Sequence, residues 1–186
     1  MIKFQSISPL ARKGLLSLAF VAPFAIAGHL NTLLNAELDG RQQLNTTGSN
    51  AIVGDADGRG EFYAFGIDAN KDTLCYNLQV KRIGELELAP NSPANPSTRF
   101  AHIHAGKAGA NGPVVANIAW PQGGQAADCL DGIAQAARFA LRDTNFASPK
   151  ELVADILTNP ENYYVNVHNV EFPNGAIRGQ LRIAGF

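Results

Sequence analysis

The sequence predicts an all-β fold, an antiparallel Greek-key-like β-sandwich with one short helix, and three observations carry that reading. Short alternations of apolar and polar residues recur along the chain, bounded by stretches rich in Gly, Pro and Asn. They follow one another without the regular intervening helices that a parallel α/β sheet needs for its crossovers, so an antiparallel sandwich or barrel is the natural solution. One segment alone carries a full set of helix start and stop signals. The 186 residues are 46% hydrophobic and 17% charged, with 18 Gly and 10 Pro, which suits one ordinary globular core and excludes a disordered chain or a fibrous repeat. The 15 Lys+Arg are spread among 16 Asp+Glu, so no basic patch suited to phosphates forms and nucleic acid is excluded as a partner.

Residues 1–27 hold Lys3, Arg12 and Lys13, no acidic residue, and an apolar run from Leu15 to Phe24 that ends in Ala25-Ile26-Ala27. This is the pattern of a secretory signal peptide. Its apolar run is short for a bilayer core about 30 Å thick, and no later segment is longer, so no membrane span is expected. Cleavage after Ala27 would leave 28–186 as a single domain. Losing three basic side chains from 15 against 16 acidic ones moves the formal net charge from −1 to −4. Export implies a periplasmic or secreted protein, and a homo-oligomer is compatible with the composition.

The first expected strand covers 30–38. The aromatic-rich run 61–67 and the alternation of Leu74, Tyr76, Leu78 and Val80 with Cys75, Asn77, Gln79 and Lys81 form a hairpin around the polar stretch 68–72. Cys75 falls on the outer face of that strand. Further strands are expected over 99–104, 114–120, 163–168 and 176–183, separated by loops such as 90–96 and 106–113. Ser148-Pro149-Lys150-Glu151 combines an N-cap serine, proline at the first helical position and glutamate three residues after the cap. A helix follows, with Leu152, Ile156 and Leu157 as its apolar stripe and Asn159-Pro160 as its end. The Ala-rich stretch 132–141 is ambiguous between strand and helix.

Cys75 and Cys129 are an even pair in an exported chain and read as a disulfide rather than two reactive thiols. Cys129 would lie in the loop after Trp120. Closing a loop of this length removes denatured-state entropy worth roughly 4 kcal/mol. The spacing, far from C-x-x-C, gives no sign of redox catalysis.

Four histidines follow the cleavage point. In Ala101-His102-Ile103-His104, alternation sets both imidazoles on one face, where they can converge on one ion. In Tyr163-Tyr164-Val165-Asn166-Val167-His168, one face carries Tyr163, Val165 and Val167, and the other Tyr164, Asn166 and His168. After the Pro173-Asn174-Gly175 turn, Arg178 and Gln180 stand opposite the apolar set of the next strand, which places Arg178 near Asn166 and His168 if the two strands pair. Two histidines on a strand need bind nothing, but a third on another polar face favours a metal site. Lack of a free thiolate disfavours iron–sulfur or Cys-rich zinc, and lack of a carboxylate cluster disfavours calcium. Three neutral imidazoles suit copper or zinc with an open position. His29 would stand near the new N-terminus, as a solvated residue or, with the free amine, as a Cu(II) chelator. No Ser/His/Asp or Cys/His nucleophile arrangement is present.

Phe100-Ala101-His102-Ile103-His104-Ala105-Gly106, Asn111-Gly112-Pro113-Val114-Val115, Tyr163 through Asn169 and Pro173 through Leu181 resemble the blocks of the CHRD domain, the module named from chordin. The likeness spans most of the chain from about Leu30. The same blocks are similar, more distantly, to the copper half of Cu,Zn superoxide dismutases. That resemblance implies His102, His104 and His168 as copper ligands, Arg178 as an anion-guiding catalytic residue, and a Cys75–Cys129 disulfide. No histidine corresponds to the metal-bridging ligand, and the zinc-ligand cluster is absent, so the resemblance implies a mononuclear copper-only centre. Three functions compete: a copper enzyme that dismutates superoxide, a copper or zinc carrier without catalysis, and an interaction module in which the histidines bind no metal.

Overall fold

The computed structural model describes residues 32–45, 51–67, 70–84, 101–142 and 144–185. The expected signal peptide, His29 and the 90–96 loop lie outside the described residues. Among the described residues nine strands form: β1 (Leu33–Asp39), β2 (Arg59–Ile67), β3 (Asn70–Lys81), β4 (Ala101–Ala105), β5 (Val114–Asn117), β6 (Gln125–Asp131), β7 (Tyr163–Val167), β8 (Ile177–Gln180) and β9 (Arg182–Ile183). An α-helix, α1, covers Pro149–Thr158. The strand order is β5-β4-β7-β8-β1-β2-β3-β6, with β9 also on β1, and every pairing is antiparallel. The all-β fold read from the alternations is the fold observed.

Alternation explains why these segments are strands. Leu34, Ala36 and Leu38 of β1, Phe62 and Ala64 of β2, and Leu74, Tyr76, Leu78 and Val80 of β3 are buried. Glu37, Glu61 and Asn77 between them are exposed. On the other side of the core stand Ala101 and Ile103 of β4, Val115 and Ala116 of β5, Val165 and Val167 of β7 and Ile177 of β8. The ladder is thinnest between β8 and β1, where Asp39 pairs with Arg178. Residues from the two halves of the sheet share one core. They also meet near their far ends, where the Tyr76 hydroxyl on β3 accepts the Ala119 N–H at 2.6 Å just after β5.

Helix α1 starts as its sequence dictates. The Ser148 hydroxyl accepts from the Glu151 N–H at 3.3 Å, and Glu151 in turn accepts the Ala147 N–H at 2.9 Å. Leu152, Ile156 and Leu157 are buried as expected, and Val153 joins them. Asn159 closes the helix, its N–H donating to the Asp155 carbonyl at 2.7 Å.

The structure departs from the sequence reading in four places. Cys129 lies on a strand, β6, and not in a loop: Cys75 on β3 is its direct cross-strand partner, with the Cα atoms 3.9 Å apart and the sulfurs bonded. This strand is hard to read because Ala126 and Leu130 alone are buried among Gln, Ala, Asp and Cys. Cys75 does face away from Leu74 and Tyr76, yet it is buried, because Phe65 and Cys129 stand beside it on the neighbouring strands. The 132–141 stretch is neither strand nor α-helix. Asp131 accepts the Ile133 and Ala134 N–H groups at 2.7 and 2.8 Å to make a turn, and a single 3-10 turn, Ala136–Arg138, follows. The last expected strand is split at Leu181, whose N–H bonds back to the Tyr163 carbonyl at 2.9 Å. No helix among the described residues is long and apolar enough to cross a membrane.

Candidate metal centre

Strands β4, β7 and β8 lay two rows of side chains across one face of the sheet. His102, Asn166 and Arg178 are in register in one row, and His104, Tyr164 and Gln180 in the next. The opposite face of the same strands carries Ala101, Ile103, Val165, Val167 and Ile177, all fully buried in the core. That burial fixes the register and so fixes which way the imidazoles point. His168 lies one residue beyond β7 rather than inside it, and its ring still turns toward the same face. The His102 ring centroid is 5.6 Å from that of His104 and 5.1 Å from that of His168. One ligand nitrogen from each of the three lies within 4.8 Å of the others.

Backbone carbonyls orient two of the rings. His104 Nδ1 is 2.9 Å from the Gly112 carbonyl oxygen, and His168 Nδ1 is 3.0 Å from that of Pro173. A carbonyl can only accept, so both Nδ1 atoms carry the proton and both Nε2 atoms present a lone pair. The His104 Nε2 is buried and has no hydrogen-bond partner. The His168 Nε2 accepts from the Asn166 side-chain amide at 3.2 Å, and Asn166 is itself held by Gln43, which donates to its oxygen at 2.6 Å.

Burial is the main reason both rings resist protonation. It pushes His104 down to about 4, with the neighbouring His102, His168 and Arg178 adding to the effect and the Gly112 carbonyl opposing it. It pushes His168 down to about 4 as well, with His102 adding and the Pro173 carbonyl opposing. Both are therefore neutral at pH 7, the form that binds a metal.

These residues fit a metal ion by their own chemistry. Ligands at 2.0–2.1 Å from one ion stand about 4 Å apart at most, so donors within 4.8 Å of each other need only small adjustments. A buried lone pair left unsatisfied, as on His104 Nε2, is costly unless something electrophilic meets it. Three uncharged nitrogen donors suit copper or zinc, and the two carbonyl-anchored Nδ1 protons supply the outer support such ligands ordinarily have.

Arg178 is in the neighbourhood that the strand pairing predicted, but it is 3% exposed. Its guanidinium lies 3.5 Å from the centre of the Tyr164 ring and donates to Asn111 Oδ1 at 2.9 Å and to the Ala110 carbonyl at 2.6 Å. Three contributors escaped the sequence reading. Tyr164 stacks on His104, and the Gly112 and Pro173 carbonyls orient the ligands. Tyr164 was visible as a member of the polar face of its strand; the carbonyls had no side-chain signature. Gly112 is also sterically obligatory, since a Cβ there would come 1.6 Å from the Ala105 carbonyl oxygen.

The CHRD domain family model matches residues 34–181, a span that contains every residue of this site. None of the curated proteins and none of the solved structures matches the chain.

Proposed function

The chain belongs to the CHRD domain family, and from that premise we propose that it is an exported, mononuclear copper protein that dismutates superoxide, with His102, His104 and His168 as the ligands. The observation that supports this reading is the convergence of three imidazoles, two of them held by carbonyls in the tautomer that leaves Nε2 unprotonated. The Cys75–Cys129 disulfide is consistent with an oxidising compartment, and the periplasm or the medium is the proposed location.

In the reaction, one superoxide gives up an electron and leaves as dioxygen, while a second takes that electron and two protons and leaves as hydrogen peroxide. Copper, when bound, supplies the one-electron couple between its +2 and +1 states. The residues of the chain do the rest. His104 and His168 stay neutral near pH 7, and their Nδ1 protons are committed to Gly112 and Pro173, so the protons of the product come from solvent. Buried β4 and β7 hold the ligand nitrogens in a fixed frame, which limits the reorganisation that each electron transfer requires. Zinc would occupy the same ligands without redox chemistry, and this is the carrier alternative.

Elemental analysis and electron paramagnetic resonance of protein taken from the exporting compartment test the proposal, followed by dismutation assays of the copper-loaded protein. One copper per chain with turnover above that of free copper ion is the expected result. Copper or zinc without turnover leaves a carrier, and no metal at all leaves an interaction module.

A further inference from the structure

We infer that Arg178 is a positioning residue for His104: its guanidinium pins the 106–113 loop where the Gly112 carbonyl holds the His104 Nδ1 proton, and it seats Tyr164 against the imidazole. The inference rests on the reading of His104 as a metal ligand.

The geometry is a chain of contacts across three strands. Tyr164 stands on β7, between β4 and β8. His104, from β4, stacks on its ring with centroids 4.7 Å apart and planes 10° from parallel, and Arg178, from β8, brings its guanidinium carbon to 3.5 Å from the ring centre. The loop that follows β4 is anchored at its base, where the Ala105 N–H donates to the Pro113 carbonyl at 3.0 Å and the Gly106 N–H to the Asn162 carbonyl at 2.7 Å. Its tip, from Lys107 to Asn111, is exposed. There the two Arg178 donations, to the Ala110 carbonyl and the Asn111 side chain, tie the tip to the sheet. The next residue is Gly112, whose carbonyl takes the His104 proton and whose N–H reaches the Tyr164 hydroxyl at 3.3 Å.

A steering role would ask for something different. A charge that draws a small anion from solution must face solvent. Arg178 is 3% exposed and directs its fork at two neutral acceptors in consecutive residues. That use depends on planarity: one guanidinium can stack on a ring and donate to two acceptors together, whereas an ammonium cannot. Lysine at this position therefore separates the two roles, keeping the charge while losing the fork.

The test compares metal-free wild type with Arg178→Ala, Arg178→Lys and Asn111→Ala by long-range proton–nitrogen correlation spectra of the imidazoles, and then measures Zn²⁺ affinity by competition with a chromophoric chelator. In wild type, His104 should be a single Nδ1–H tautomer with a slowly exchanging proton. Both Arg178 variants should give a tautomer mixture at His104 and none at His168, which Pro173 holds separately. Zn²⁺ affinity should fall 10- to 100-fold, the range found when supporting partners of metal ligands are removed. Asn111→Ala should show the same signature more weakly. Should Arg178→Ala fail to fold, Asn111→Ala carries the test from its exposed loop, and an unchanged His104 tautomer and exchange rate there would overturn the inference. So would full recovery in Arg178→Lys, which would make charge the property that matters. If wild type binds neither Zn²⁺ nor copper, the proposed function fails, while the tautomer comparison still decides the role of Arg178.

Discussion

His104 and Tyr164 face each other across the β4–β7 ladder as register partners, with rings 4.7 Å apart and only 10° from parallel. A candidate metal ligand thus has an aromatic wall on one side and a carbonyl on its Nδ1. Tyr164→Phe keeps the wall and loses the hydroxyl that touches Gly112, so metal affinity should change by less than about threefold. Tyr164→Ala removes the wall and should weaken binding by about 10-fold or more. Equal losses in the two variants, measured by chelator competition, would show that the hydroxyl rather than the stack matters.

The metal-free protein should lose stability as pH falls from about 6.5 to about 4. His104 and His168 titrate near 4 when folded and near 6.5 when exposed, so over that interval the unfolded chain binds protons that the folded chain refuses. The contribution is complete above 6.5 and declines as pH falls through the window. Its size is on the order of 2–3 kcal/mol for each histidine as an upper bound. Urea denaturation between pH 4 and 8 should show the slope, and His168→Gln should flatten part of it. Identical slopes in wild type and His168→Gln would contradict the assignment.

Thiol titration of the denatured, unreduced protein should find no free thiol, because Cys75 and Cys129 are bonded across β3 and β6. Replacing both by alanine should cost roughly 2–4 kcal/mol, measured by chemical denaturation. The loss should fall on β6, which among the described strands pairs with β3 alone and buries only Ala126 and Leu130. Amide exchange should therefore speed up in 125–131 before it does in β4 or β7.

The sequence carried the ligand face because a strand's period of two leaves no choice: once Ile103, Val165 and Val167 enter the core, His102, His104, Tyr164 and Asn166 must share the other side. It did not carry β6, since alanine and aspartate at 126–128 lack the apolar contrast that marks a strand. Nor could it show what covers Arg178. Alternation assigns a side chain to a face but says nothing of the loop that folds over it, and here Ala110 and Asn111 arrive from 68 and 67 residues away in sequence. The Gly112 and Pro173 carbonyls were beyond reach for another reason: any residue supplies a backbone acceptor, so its identity holds no trace of the contact.

Replacing His102 or His168 by alanine should remove both copper and superoxide dismutation. If the proposed function holds, two nitrogens would not fix the geometry of an ion that three are to hold, and a changed geometry would change the potential on which alternating oxidation and reduction of superoxide depends. The fold should survive, because these rings stand on the polar face and the core residues beside them are untouched. His102 is the more informative of the two. Its ring stands 5.6 Å from His104 and 5.1 Å from His168, so its loss leaves two nitrogens, still within 4.8 Å of each other, where the proposed site has three. Copper content by elemental analysis and turnover by competition with a superoxide-reactive dye should fall together in both variants. Retained copper with lost turnover in His102→Ala would move the metal to another set of ligands, and copper-loaded wild type no faster than free copper ion would end the enzyme reading and leave the same three histidines as a carrier site.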